Sequence, residues 1–255
     1  MNKVKKRQII INADDFGKSL ERNRAIDYSF KNNLIDSASL IVTGKHLEDA
    51  LKYIKAGEYF DKIHLHFNIR TNLLEEDSCD KPISTAMQKS STFCNNGCFV
   101  NGIKYKFYDI RKWKIIYEEL IAQYEKFIEV TEGKANYKQI EFHMWTNLSL
   151  PASIALNLFT RKYKIEYVRY YHIGIKNSLR TLICRLLSWN PKVKYTPATN
   201  IDYYLSKREK LRKYEIIELY CHPNYRDGVF LDDSPSYLGH KRRPMNEHMS
   251  LLGRM

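Results

Sequence analysis

The sequence is poor in the features that anchor, staple or loosen a chain. No stretch reaches the roughly 20 apolar residues of a membrane-spanning helix. In the basic N-terminus MNKVKKRQIIINADD the apolar run is Ile9 to Ile11, too short for the core of a secretory leader. Cysteine is scarce and odd in number, five residues at 79, 94, 98, 184 and 221, which points to a reduced compartment. Cys94 and Cys98 are spaced like half a zinc site. They flank Asn96-Gly97, a hairpin-turn dipeptide, and no second pair exists to complete the site. There is no low-complexity linker, no internal repeat and no glycine-rich nucleotide motif. There is also no dense basic run, although 42 Lys and Arg against 29 Asp and Glu give a net charge of +13 and a pI near 9.4. That excess favours anionic partners such as nucleic acid, acidic lipid or acidic glycan. Its scatter along the chain makes specific nucleic-acid binding unexpected, while a loose attraction to anionic membrane is compatible with it.

What is present is a globular composition, 44% apolar and 28% charged over 255 residues, enough for a large core and expected to form one domain over 1–255. Short β-branched runs alternate with amphipathic stretches. Strands are expected at 8–12, 36–42, 62–68, 137–144, 165–170, 194–199 (weakened by Pro197) and 214–221. Helices are expected at 19–32, 47–56, 111–130, 151–159, 178–187, 205–213 and 236–252. Residues 70–110 are a polar excursion containing the hairpin CNNGCFVNG. About seven βα units predict a parallel sheet, here a (β/α) barrel, seven-stranded or distorted, with an open doubly wound sheet as the alternative.

The polar residues concentrate at strand ends. The first strand ends in Asp14-Asp15, the third carries His64 and His66, the fourth ends in Glu141-Phe142-His143, and the last ends in Cys221-His222-Pro223. A barrel gathers such ends at one mouth. One carboxylate and two imidazoles make an open divalent-metal site that can polarise a carbonyl and acidify water. A second carboxylate can then take a proton from that water, and a further histidine can give one to a leaving group. Period alone does not choose between His64 and His66, which share a face.

NADDFG, HLHFN, EFH and ELYCHP, in this order, resemble the YdjC/ChbG-type carbohydrate deacetylases, relatives of the polysaccharide deacetylases, over nearly the whole chain. The resemblance implies a (β/α) barrel, a divalent metal and removal of acetyl from an N-acetylated sugar. It implies Asp14 as general base, His222 as general acid, and Asp15, His66 and His143 as metal ligands. Asn68 and Arg169 are implied at the substrate. The sequence departs from the family after His143, where Trp145 and Asn147 stand in place of further histidines; Trp145 offers a sugar-stacking face. It departs again at Asn224, where the family has glycine and where Asn can keep a left-handed turn.

The expected protein is therefore a cytoplasmic, metal-dependent carbohydrate N-deacetylase using zinc or magnesium, with a homodimer left open. The alternatives are a catalytically weakened sugar-binding relative and a hydrolase of another amide or ester.

Overall fold

The computed structural model describes residues 8–70, 79–100, 109–172, 179–234 and 243–254. The chain opens with β1 (Gln8–Phe16), α1 (Leu20–Lys31), β2 (Ser37–Leu40), α2 (Leu47–Ala56) and β3 (Ile63–Phe67). The excursion holds α3 (Thr85–Gln88), β4 (Cys94–Asn95) and β5 (Cys98–Phe99). Then come α4 (Trp113–Val130), β6 (Gln139–Phe142), α5 (Leu150–Lys162), β7 (Tyr167–His172), α6 (Leu179–Ser188), β8 (Lys194–Asn200), α7 (Ile201–Lys207) and β9 (Ile216–Cys221). The chain ends in β10 (Pro223–Arg226), β11 (Val229–Asp232), β12 (Arg243–Pro244) and α8 (Met245–Leu251).

Strands β1, β2, β3, β6, β7, β8 and β9 close a barrel in that order, all parallel, with β9 returning to β1. This is the (β/α) barrel expected from the alternation of elements, with seven strands. The period of two divides each strand. Ile11, Ala13, Ala38, Leu40, Leu65, Phe67, Ile140, Val168, Ile217 and Leu219 join the hydrophobic core shared with the helices, through residues such as Ile26, Ile54, Ile116, Leu120, Phe127 and Phe159. The alternate residues Asn12, Ser39, His64, His66, Glu141, Arg169 and Glu218 are buried and bonded to one another across the lumen. Where most such barrels fill the centre with branched apolar side chains, this one fills it with ionisable groups.

Local chemistry sets the element ends. Ser19 and Ser149 cap α1 and α5 by accepting from Arg22 N and Ala152 N, and Pro151 lies in the first turn of α5. Asn200 caps an α7 that starts four residues earlier than the sequence pattern suggests, because β8 runs directly into it. Pro197 lacks an N–H, and the β7/β8 register shifts beside it, between Arg169 and Tyr171. The three-stranded sheet β10–β11–β12 was not anticipated. Asn224 sits in β10 opposite Leu231, in extended pairing, so the left-handed turn expected there does not form. Of the helix expected over 236–252, α8 is its second half; 235–242 fall outside the described residues.

The hairpin of the excursion turns at Asn96 and Gly97, both with positive φ, as an Asn-Gly turn requires. Cys98 does more than flank that turn, for its sulfur is joined to Cys79 in a disulfide, leaving Cys94 free and buried. Disulfides belong mainly to oxidising compartments, so this bond stands against the reduced setting expected from the cysteine count. Among the described residues, no helix is long and apolar enough to cross a membrane.

Candidate metal centre at the barrel mouth

Two adjacent side chains on a regular strand point to opposite faces. β1 evades this rule at its end. Asp14 follows Asn12 on the lumen side, accepting from its Nδ2 at 2.8 Å. Asp15 has φ of +70° and the pairing with β2 shifts between Ala13 and Phe16, so its carboxylate also turns to the mouth. Gly17 completes the turn with φ of +97°; a Cβ there would lie 2.9 Å from the Ile41 carbonyl oxygen. Asp-Asp-Phe-Gly is thus a backbone requirement as well as a chemical one.

Asp15 Oδ1 lies 3.2 Å from His66 Nε2 and 2.9 Å from His143 Nδ1, and the two ring nitrogens are 3.2 Å apart. The three residues come from the ends of β1, β3 and β6 and are all buried. Despite the short distance to His143, Asp15 Oδ1 receives no well-formed hydrogen bond. A buried carboxylate oxygen facing two imidazole nitrogens in this way fits a divalent cation, and the donor set suits one.

The surroundings prepare His66 for that task. Its Nδ1 is 2.7 Å from Glu141 Oε1 and 2.9 Å from Ser39 Oγ, which leaves Nε2 turned to Asp15. Burial opposes the charged form of His66, but Glu141 and the Asp15 carboxylate 3.2 Å away outweigh it and raise its pKa to about 9. Burial drives His143 the other way, to about 3. Burial pushes the Asp15 carboxyl up, yet His143 and Lys18 hold it well below the usual range. The metal-free trio therefore holds one proton, on His66, where a cation's charge is wanted. His64 lies deeper, with Nε2 3.5 Å from Glu141 Oε2, and does not approach Asp15. Lys18 and Arg22 add positive charge at 3.9 and 3.6 Å from Asp15 Oδ2.

Arg169, expected at the substrate, is buried in the lumen beside Asp14. It binds both oxygens of Asp14, and its other edge meets Glu141 and Glu218. One guanidinium against three carboxylates leaves an excess of negative charge; burial and the nearby Glu141 raise the Glu218 pKa. Asn68, also implied at the substrate, is bonded within the protein. It is fully buried, donating to Asp80 Oδ2 at 2.8 Å and accepting from Arg70 N at 3.0 Å, where it ties β3 to the excursion. Asn147 is buried in the turn after His143, and the Trp145 side chain falls outside the described residues.

His222 stands opposite, its Nε2 3.9 Å from Asp14 Oδ2 and from Asp15 Oδ2. Its backbone N–H donates to Asp232 Oδ1, and its Nδ1 is 2.9 Å from Ser234 Oγ. Ser234 Oγ donates to Asp232 Oδ1 at 2.6 Å, so its oxygen is left to accept from His222 Nδ1–H. That chain fixes the tautomer and aims Nε2 at the carboxylates. Asp232 is held in turn by His248 Nδ1 at 3.2 Å. Burial opposes its charge, yet His248 and Ser234 bring its pKa down to about 2. The β10–β12 sheet and α8 therefore serve the site.

Sequence reading missed Asn12, Ser39, Asp232 and Ser234, and noted Glu141 at its strand end without giving it a role. Asn12 and Glu141 were within reach of the period of two, lying two residues before Asp14 and His143 on the same strands. The others depend on which loops meet.

Fold and site together define a class: a parallel (β/α)-barrel protein with an Asp-His-His group, able to hold a divalent cation, over its mouth. More particularly, the profile of the YdjC-like protein family matches residues 8–251, and the chain belongs to that family. It is similar to carbohydrate deacetylase 2 of Listeria innocua serovar 6a, 24% identical over 233 residues that span 89% of this chain and 84% of that protein. A crystal structure from Enterococcus faecalis V583, described as a candidate cellobiose-phosphate cleavage protein, shares the fold. It has a TM-score of 0.64 and 18% identity, over 87% of this chain and 83% of that one.

Proposed function

We propose that the protein is a metal-dependent hydrolase that removes acetyl from an N-acetylated sugar. The observation that supports this most is the meeting of Asp15, His66 and His143 beside Asp14 and His222. Family membership and the deacetylase name of the Listeria relative point the same way.

Asp15, His66 and His143 would hold the cation; two nitrogen donors favour zinc over magnesium. When bound, the cation would supply Lewis acidity, polarising the acetyl carbonyl and acidifying water. Asp14, held still by Arg169 and Asn12, takes a proton from the attacking water. His222, entering the step as the imidazolium, gives its Nε2 proton to the sugar nitrogen, which otherwise leaves very poorly from an amide, and is left as the neutral Nδ1–H ring. The Asp232–Ser234 chain keeps that nitrogen aimed as the proton moves. Acetate release from a panel of N-acetylated mono- and disaccharides, before and after chelation and with each metal restored, tests the proposal. Binding of sugars without acetate release would instead favour the weakened relative suggested by Trp145 and Asn147.

A cytoplasmic setting, expected from the odd cysteine count, has the Cys79–Cys98 bond against it. Counting free thiols in protein purified without reductant decides between the three that the bond leaves and all five.

A further inference from the structure

Helix α6 is built inside out. Its buried side presents Thr181, Cys184 and Ser188, which are small and weakly apolar. Its outward side carries Leu179, Leu182, Ile183 and Leu186, which are 74%, 51%, 39% and 68% exposed. Those positions are spaced i, i+3, i+4 and i+7, one face of a helix. Just past its end, Trp189 is 53% exposed and stacks on Tyr195 with ring centroids 5.1 Å apart. A barrel helix ordinarily turns such a face to the sheet. Single exposed leucines need no explanation, but a contiguous stripe ending in tryptophan marks a surface that meets something apolar.

Charge narrows the occupant. Between Glu166 and Asp202 there is no acidic residue, whereas Arg180, Arg185, Lys192 and Lys194 lie on the helix or just after it. The whole chain carries +13. A second copy would bring the same positive charge to the same face, which disfavours self-pairing. A surface that is apolar within and anionic outside satisfies both the stripe and the charge, and a bilayer of acidic lipids is such a surface.

We propose that α6 docks the protein on anionic membrane surfaces. The leucine face and Trp189 enter the boundary between headgroups and acyl chains, and the exposed Lys192 and Lys194 meet the phosphates. Docking leaves the barrel mouth to its own chemistry and does not depend on the deacetylase proposal.

The test is co-sedimentation of the full chain with vesicles of phosphatidylcholine alone and of phosphatidylcholine with equimolar phosphatidylglycerol. Binding is expected only to the anionic vesicles, weakened by added salt. L182S/L186S is expected to reduce it at least about tenfold, and K192E/K194E should reduce it as well. All four positions are exposed, so melting curves should match the parent. Absence of binding to anionic vesicles overturns the proposal, as does binding indifferent to L182S/L186S. So does light scattering that finds an oligomer which L182S/L186S converts to monomer, because the stripe is then a self-interface.

Discussion

Arg169 grips Asp14 by both oxygens, Nη1 to Oδ2 at 2.6 Å and Nη2 to Oδ1 at 2.7 Å, from the opposite side of the barrel. A fork of this kind fixes a carboxylate in orientation as a point charge cannot. Arg169→Lys keeps the charge and loses the fork. Turnover should fall about 100-fold, since small misplacement of a reacting group is that costly. Arg169→Met leaves buried carboxylates without their cation and should cost about 3–5 kcal/mol of stability in urea unfolding. Unchanged acetate release by Arg169→Lys would mean that Asp14 needs no orienting.

Asp14→Asn separates catalysis from metal holding. The amide keeps the shape and cannot take up a proton, so turnover should fall by about 100-fold or more. Metal content measured by mass spectrometry should stay at the parental level. Asp15→Ala should show the reverse order of causes, with metal lost first and activity lost because of it. Full acetate release by Asp14→Asn would remove Asp14 as the base.

Metal affinity should depend on pH through His66. In the metal-free protein His66 keeps its proton below about 9, and a cation must displace that proton to use Nε2. The sign follows directly: apparent affinity rises with pH, about tenfold per unit, and levels off near the His66 pKa. Titration calorimetry in buffers of different ionisation heat should find about one proton released at neutral pH. Affinity flat between pH 6 and 9 would contradict a protonated His66, where nearly three decades are expected, about 2.7 after levelling.

Ser234 links Asp232 to His222 through one hydroxyl. Ser234→Ala frees the imidazole to rotate while leaving the metal trio intact. We expect about a tenfold loss of turnover with unchanged metal affinity, and recovery in Ser234→Thr. Loss of metal in Ser234→Ala would show instead that the loop supports the whole mouth.

The barrel was legible because its strands are short, β-branched and regularly interrupted, and because the apolar half of each strand must face helices. That Asp15 and His143 would meet a histidine of β3 was legible because titratable residues at strand ends have one place to meet; the choice of His66 over His64 came from the family resemblance. The partners of Arg169 were not legible, for a physical reason. Its position in the middle of β7 does not name its partners, which are Asp14, Glu141 and Glu218, far away in sequence. The partners of Asn68 were hidden in the same way, since an amide on the same face as His66 does not name the loop residue, Asp80, that it bonds. The β10–β12 sheet was hidden by strand lengths too short to show a period. The inverted α6 gives a normal amphipathic pattern in sequence; only packing reveals which side is out.

The most direct test is anomalous diffraction from crystals grown with zinc, collected on both sides of the metal edge. A single strong peak about 2.0–2.2 Å from Asp15 Oδ1, His66 Nε2 and His143 Nδ1 is the expected result. A fully active crystal form with no anomalous density among these three side chains would contradict the account.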